Sequence, residues 1–192
     1  SSPTDTNVFD IGTPTLSEPL ELDIDCPASD NCKIVMALEG DGIRLVDCDN
    51  EACSSNTATT VDGSSNAYGI GIDCPTSTNC KLAFIEEYAA VHFIDCDNEA
   101  CSTKTQTSVI SSGNEGRGVA LHCPTASNCK ISYTDADANE VKFIDCDNET
   151  CSSSTNTVVE DSSEPDPATE NIIDMHCPAA EDCKLVYNDT MN

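Results

Sequence analysis

Large aromatic side chains are scarce in this sequence, which contains no Trp, four Phe and four Tyr in 192 residues. Aromatic residues bury more surface than any others, so the hydrophobic core is expected to be thin. A lectin that stacks sugars on aromatic rings would depend on Tyr68, Tyr88, Tyr133 and Tyr187, which are not at equivalent positions throughout the repeats. We therefore expect covalent cross-links to stabilise the fold.

Basic residues are also few: eight Lys and Arg stand against 35 Asp and Glu, for a formal charge of -27. A chain of this charge cannot form a basic patch, which excludes nucleic acid and anionic membrane surfaces as partners. Cations are natural counter-partners, although an acidic surface also serves solubility alone. No apolar run approaches the length of a transmembrane helix, so we expect no membrane insertion.

Catalytic motifs are missing. There is no nucleophile elbow of the Gly-x-Ser-x-Gly type and no phosphate-binding glycine loop. A sialidase-like site would be expected to use three arginines, and only Arg44 and Arg117 are present. Two carboxylates suffice for glycoside hydrolysis, so a propeller glycosidase is kept as a third hypothesis, but no pair is recognisable by spacing among Glu39, Glu86, Glu87 and Asp174.

What the chain has is a repeat marked by cysteine. A Cys-Pro pair recurs at Cys26, Cys74, Cys123 and Cys177, in steps of 48, 49 and 54 residues. Such a period indicates a repeat protein. We divide the chain into an N-terminal segment (1–19) with one strand resembling a unit's last strand, three repeats (20–67, 68–116 and 117–170) and a partial fourth (171–192).

All 14 cysteines fall into local pairs, which predicts a disulfide framework and an oxidising, extracellular compartment. Zinc is the alternative, but there is no Cys-x-x-Cys and only three histidines are available. The predicted disulfides are Cys26–Cys32, Cys74–Cys80, Cys123–Cys129 and Cys177–Cys183, with five residues between, and Cys48–Cys53, Cys96–Cys101 and Cys146–Cys151, with four between.

Each repeat predicts four short strands and no helix. The first strand alternates apolar residues with small or acidic ones (20–25, 68–73, 117–122 and 171–176), which suggests a crowded strand near an axis. The second starts with Lys33, Lys81, Lys130 or Lys184, and the fourth is Thr-rich and expected to be solvated. The cysteine pairs are expected to flank connecting loops of five and four residues. The fold class is all-β, with tandem four-stranded antiparallel repeats, propeller-like and stapled by hairpin disulfides.

The stretch from Val141 to Cys151, followed by the Thr-rich segment 152–159, resembles tandem blade-like repeats of secreted bacterial proteins, about 48 residues long. In those repeats a strand such as Val-Lys-Phe-Ile-Asp precedes a Cys-x4-Cys hairpin. The resemblance covers almost the entire chain and implies β-propeller-type scaffold or interaction modules. This sequence departs from the pattern by a second disulfide, Cys-Pro-x4-Cys.

Acidic triplets predict a calcium site in the Asp-Cys-Asp-Asn-Glu segments, because Ca²⁺ takes six to eight oxygen ligands. The candidate ligands in the first repeat are Asp47, Asp49 and Glu51. Those in the second repeat are Asp95, Asp97 and Glu99, and those in the third are Asp145, Asp147 and Glu149. Capping of a turn by Asp and Asn is the alternative. No cofactor is otherwise required.

The Asp135-x-Asp137-x-Asn139 run imitates an EF-hand loop but lacks its glycine, and we expect a hairpin there. His122 and His176 could be metal ligands or solvated strand ends, and His92 is expected to be a surface basic residue.

The ends of the array are incomplete in complementary ways, and unpaired strand edges invite pairing. We therefore expect a non-catalytic extracellular protein that polymerises head to tail into a fibre, sheath or adhesive layer. A closed four-bladed ring and a fragment of a longer array remain open, as does a monomeric propeller that binds a glycan or cell-surface protein. Asn148 and Asn188 match the glycosylation acceptor pattern.

Overall fold

The computed structural model describes residues 21–38, 42–63, 67–86, 90–111, 115–161 and 173–187. Every regular element in these ranges is a β-strand. The first repeat contains β1 (Glu21–Ala28), β2 (Asn31–Leu38), β3 (Gly42–Cys48) and β4 (Asn56–Asp62); the second, β5 (Ala67–Thr76), β6 (Asn79–Glu86), β7 (Ala90–Cys96) and β8 (Lys104–Ile110); the third, β9 (Glu115–Thr125), β10 (Asn128–Asp135), β11 (Glu140–Cys146) and β12 (Ser154–Asp161); and the fourth, β13 (Ile173–Ala179) and β14 (Asp182–Tyr187).

Each of the first three units is a four-stranded antiparallel sheet in which the strands lie in chain order, and the fourth unit is a two-stranded hairpin. The all-β fold with repeated four-stranded sheets is thus confirmed. The Thr-rich last strands are exposed or half-buried apart from Val61, in keeping with the solvated outer strand that their alternating hydroxyl residues predict. No helix in the described ranges is long and apolar enough to cross a membrane.

The first hairpin of each unit is tighter than the sequence suggests. Ala28 pairs with Asn31, so the turn contains two residues instead of the five expected, and the register shifts between Asp25 and Ala28. The same arrangement recurs where Thr76 pairs with Asn79 and Ala179 with Asp182. Cys26 and Pro27 therefore lie within β1 and not in the turn. The first strand has one residue more than its partner in this stretch, and a β-bulge accommodates that extra residue.

All seven disulfides pair as the spacing predicts, and no cysteine is free. The second cysteine of each four-residue spacing adopts a left-handed backbone, with φ of 49° at Cys53, 52° at Cys101 and 51° at Cys151. Such a conformation is unfavourable for a residue with a side chain. The backbone N–H of Cys101 donates to the carbonyl of Asn98 (2.9 Å), and the disulfide to Cys96 holds the same turn.

The units contact one another mainly through their first strands, because β1 lies against β5, β5 against β9 and β9 against β13. Gly71 shows how close these strands are: a Cβ built on it would stand 3.1 Å from the backbone nitrogen of Leu121. The small residues that predicted a crowded strand are therefore at the contact between units. A closed propeller ring is not found in the described part of the chain.

Alternation along the strands gives every unit two unlike faces. We call the face directed at the preceding unit the leading face; in the second unit it carries Ile70, Ile72, Leu82 and Phe84. The face directed at the following unit is the trailing face. These two faces bury each other, and the resulting layers form the hydrophobic core. The first layer joins Val35, Ala37, Ile43 and Leu45 to the leading face of the second unit; later layers join units two and three, and three and four.

Candidate functional site: the contacts between successive units

A buried lysine begins the second strand of each complete unit. Lys33 is opposite Asp47 in the β2–β3 register, and its Nζ contacts Asp47 Oδ1. The Lys33 side chain is 0% exposed and that of Asp47 is 6% exposed. A buried ion pair is stable only when its remaining polar atoms are also satisfied. The four lysines were expected to be structural, but their burial and partners were not predicted.

The next unit contributes the third group. Glu99, on the loop between β7 and β8, has Oε1 3.3 Å from Lys33 Nζ and accepts a hydrogen bond of 2.6 Å from Asn31 Nδ2. The second unit repeats the arrangement: Lys81 contacts Asp95, and Glu149 of the third unit lies 3.3 Å from Lys81 Nζ. We call each such set, a lysine with its aspartate, asparagine and the following unit's glutamate, a lysine clamp.

The third unit has only part of this arrangement. Lys130 contacts Asp145, whose side chain is 41% exposed, and no glutamate reaches the lysine within the described ranges. Lys184 in the fourth unit is 72% exposed and contacts Asp182. Lys130 is nevertheless only 2% exposed, so it is the second carboxylate, and not burial of the lysine, that accompanies a complete following unit.

The two acids of a clamp are electrostatically different. Burial raises the pKa of Asp47 and of Asp95 above the usual range of a carboxyl group, although hydrogen bonds from the lysines oppose this. The hydrogen bond from Asn31, followed by that from Lys33, lowers the pKa of Glu99. Asn79 and Lys81 likewise lower the pKa of Glu149. The pKa values of the two acids are therefore shifted in opposite directions.

A second set of contacts runs along the first strands. Asp23 Oδ2 accepts a hydrogen bond from the backbone N–H of Ile72 (2.9 Å), and Asp25 Oδ2 one from Cys74 N (2.7 Å). Asp73 does the same for Cys123 N (3.1 Å). These acidic residues cross-link neighbouring strands by taking backbone donors that the strands' own sheets leave unpaired.

His122 continues this series, because its Nδ1 lies 2.7 Å from Asp73 Oδ2 and its Nε2 lies 3.1 Å from the carbonyl oxygen of Cys177. His176 is exposed, with its ring 4.8 Å from that of His122. His122 is therefore a bridge between units. His92, expected on the surface, is instead half-buried: it stacks on Phe84 and lies 2.8 Å from Glu86.

The acidic triplets that predict calcium are divided among different partners. The first acid contacts the buried lysine of its own sheet. The second contacts the loop: Ser55 Oγ donates to Asp49 Oδ2 at 3.0 Å and Ser153 Oγ to Asp147 Oδ2 at 2.9 Å. The third, in Glu99 and Glu149, points to the preceding unit. No group of three His, Cys, Asp or Glu residues with the geometry of a metal site occurs in the described ranges. Calcium binding stays a prediction.

Two other candidate sites are parts of turns. Asp135 and Asn139 belong to the hairpin between β10 and β11, as expected, and Asp135 accepts the N–H of Ala138 (3.0 Å) and contacts Lys142. Asn148 is half-buried and its Oδ1 accepts the N–H of Ser152 (3.0 Å), as Asn50 and Asn98 do for their loops. This turn role competes with glycosylation of Asn148. Asn188 lies outside the described residues, as does the strand expected in residues 1–19.

The candidates for catalysis or sugar binding are not brought together. Tyr133 is buried, and its hydroxyl accepts a hydrogen bond from Asn156 Nδ2 (2.9 Å), so its ring offers no open face to a sugar. Tyr187 donates to Glu160 at the third and fourth units. Glu39, Glu87 and Tyr88 lie outside the described residues, and Arg117 has no described side chain. The described part of the chain therefore provides no basis for assigning a catalytic pair.

Comparisons with known proteins give no family for this chain: no protein-family model matches it, and no curated protein sequence is detectably similar. The resemblance to blade-like repeats of secreted bacterial proteins stays a prediction.

Proposed function

We propose that this protein is a non-catalytic building block of an extracellular fibre, sheath or adhesive layer, and that its units add head to tail to those of a second copy. Its blades are of propeller type, arranged as an open array. Seven disulfides are compatible with an oxidising environment, which supports an extracellular location.

The observation that carries the proposal is the exposure of the β1 part of the first unit's leading face, whereas Met36 and Val46 on the same face are buried. Leu22 is 60% and Ile24 53% exposed. The equivalent residues in the second unit, Ile70 and Ile72, are 7% and 4% exposed, and the third and fourth units bury theirs similarly. What buries this face in units two to four is in each case the trailing face of another unit.

Charge supports the same partner. Glu51 occupies the position from which Glu99 and Glu149 reach the lysine of the preceding unit, and it is exposed. At the other end of the array the corresponding lysine is Lys184 of the fourth unit, which is 72% exposed beside Asp182. At the other end Val186 of β14 is 70% exposed on the trailing face. One end of the array thus offers apolar residues with a glutamate, and the other offers an apolar residue and lysines.

Concentration-dependent association tests the proposal. Sedimentation velocity and negative-stain imaging of the full chain are expected to show linear assemblies that lengthen with concentration. Ile24→Asp places a charge on the leading face and is expected to abolish them. Val158→Asp is the matched control, because Val158 is 46% exposed on the outer strand β12 and is not part of the apolar layers between units. A wild-type chain that stays monomeric at all concentrations, with the leading face protected, would indicate closure within one molecule and reject the proposal.

A further inference from the structure

The buried lysines and aspartates form pairs that are costly to keep charged. Lys33 and Lys81 are 0% exposed, and the side chains of Asp47 and Asp95 are 6% and 8% exposed. Removing two opposite charges from water costs several kcal/mol per ion, which their attraction repays only in part. In their neutral forms the same groups are an amine and a carboxylic acid, the two reactants of amide formation.

The fold holds these reactants in contact. Lys33 and Asp47 are register partners on β2 and β3, and Lys81 and Asp95 are register partners on β6 and β7. In both pairs the amine nitrogen contacts one oxygen of the carboxyl group. Two reactants fixed in this way behave as if present at very high concentration, and effective molarities on the order of 10⁵ M or more are known for well-oriented groups.

A third group is available to move protons. Glu99 Oε1 lies 3.3 Å from Lys33 Nζ and is oriented by its hydrogen bond from Asn31. Glu149 Oε1 is at the same distance from Lys81 Nζ and accepts a 3.1 Å hydrogen bond from Asn79. Both glutamates belong to the following unit, so the complete set exists only when two units are stacked.

We propose that Lys33 and Asp47, and likewise Lys81 and Asp95, condense into side-chain amide bonds, with Glu99 and Glu149 transferring the proton. The neutral Nζ attacks Cγ of the protonated aspartate, forming the N–C bond. One Nζ proton passes through the glutamate carboxylate to the aspartate hydroxyl, the C–O bond breaks, and water leaves. Nothing is oxidised or reduced, and no co-reactant is needed.

The acid-base properties of the clamp support this assignment. Burial raises the pKa of Asp47 and Asp95, which favours the protonated acid that can lose water. The pKa of Glu99 and Glu149 is lowered by their hydrogen bonds, which keeps both side chains as carboxylates beside the lysines. The product is a neutral amide, and its formation removes the cost of a buried ion pair.

The third unit provides an internal comparison. Lys130 contacts Asp145, but the aspartate side chain is 41% exposed and no glutamate contacts the lysine in the described ranges. We therefore expect no amide bond at Lys130 in the isolated chain. Lys184, which is 72% exposed beside Asp182, is a second unbonded reference.

Mass spectrometry of the full chain, folded and then fully reduced and denatured, tests the proposal. The intact mass is expected to be lower than that of the sequence by two water molecules. Digestion with trypsin and Glu-C is expected to leave the bonds after Lys33 and Lys81 uncut and to cut after Arg44 and after Glu86 or Glu87, between the joined residues. It should therefore yield branched peptides joining 33 to 47 and 81 to 95, and it should cut after Lys130 and Lys184. An intact mass without any loss, or a loss of water within an unbranched peptide, would overturn the proposal.

Variants separate the chemistry from folding. Glu99→Gln is expected to lose the bond at Lys33 and to keep the bond at Lys81, whose presence shows that the neighbouring units have folded. Glu181→Gln is the matched control and is expected to keep both bonds, because Glu181 is exposed in the turn of the fourth unit. Retention of both bonds in Glu99→Gln would reject the role given to the glutamate. None of these measurements depends on self-association, so the outcome is independent of the proposed head-to-tail assembly.

Discussion

Glu99 lies 3.3 Å from the buried Nζ of Lys33, although the two residues are 66 positions apart and belong to different units. The contact repeats between Glu149 and Lys81. A polar interaction thus accompanies each apolar layer between complete units, and it specifies which face meets which. Apolar faces alone would tolerate other orientations, whereas the contact between the glutamate and the buried lysine favours the orientation in which the two meet.

Replacement of a clamp lysine is expected to destabilise the fold strongly. Lys33→Met leaves Asp47 buried without its cation, and breaking a buried pair in this way costs about 3–5 kcal/mol. Lys184→Met, at the equivalent but exposed position, is expected to change stability by less than about 0.5 kcal/mol. Chemical denaturation of both variants and of the double variant Lys33→Met/Asp47→Leu measures this. Equal losses of unfolding free energy in Lys33→Met and Lys184→Met would contradict the prediction that the buried lysine matters more than the exposed one.

A methyl group at Gly71 is expected to push two units apart. The added Cβ of Gly71→Ala would lie 3.1 Å from Leu121 N and 3.2 Å from Leu121 Cβ, so the contact between β5 and β9 must loosen. Such overpacking typically costs about 1–3 kcal/mol. Gly63→Ala is the control, since no atom lies within 4 Å of its added Cβ. Thermal unfolding followed by circular dichroism compares the two, and a Gly71 variant as stable as wild type would disprove this close packing.

Reduction of the disulfides is expected to unfold the protein. Each disulfide closes a loop of only five or six residues, for which chain entropy predicts about 2 kcal/mol. Seven such contributions give about 14 kcal/mol, near the upper end of a typical domain's total stability of about 5–15 kcal/mol. The measurement is the melting temperature with and without strong reductant, after free-thiol quantification. An unchanged melting temperature in the fully reduced protein would show that the apolar layers suffice.

Mild acidification is expected to stabilise the fold. Burial raises the pKa of Asp23 and Asp73 above their ordinary value of 3.8, with the carboxylates around them adding to the effect. The folded chain then binds protons more readily than the unfolded chain, so stability increases as the pH falls through the raised pKa values towards 3.8. Glu99 and Glu149 act in the opposite sense, because their pKa values lie below 4.5 and their contribution is lost on acidification below that value.

The resulting stability maximum is expected at about pH 4–5. Melting temperatures measured from pH 7 downwards test this. Asp23→Asn preserves an acceptor for the N–H of Ile72 but cannot titrate, so it should reduce the gain on acidification; Asp30→Asn, in an exposed turn, should not. A melting temperature that falls steadily between pH 7 and pH 4 would be inconsistent with burial of these acids.

Position-by-position comparison of the repeats was sufficient to predict the strands, the cysteine pairs and the exposed outer strands, because these depend on short-range alternation and spacing. The predicted length of the turn between Cys26 and Cys32 was wrong. A β-bulge places both cysteines within the strands, and no local sequence pattern indicates that bulge. The clamp was missed for a different reason. Lys33 and Asp47 can be recognised in the sequence as repeated residues. Their structural role, however, depends on Glu99, which comes close to them only because the units stack.

What the sequence by itself determined is the composition of one unit: four short strands, two cysteine pairs and a lysine at a constant place, all enforced by local chemistry. Only the tertiary structure decided which residues face which neighbour. Leu22 and Ile70 have the same local sequence role, yet one is 60% and the other 7% exposed. The difference arises because burial is a property of the contact between units, and the number of neighbours that a unit has is not encoded in its own residues.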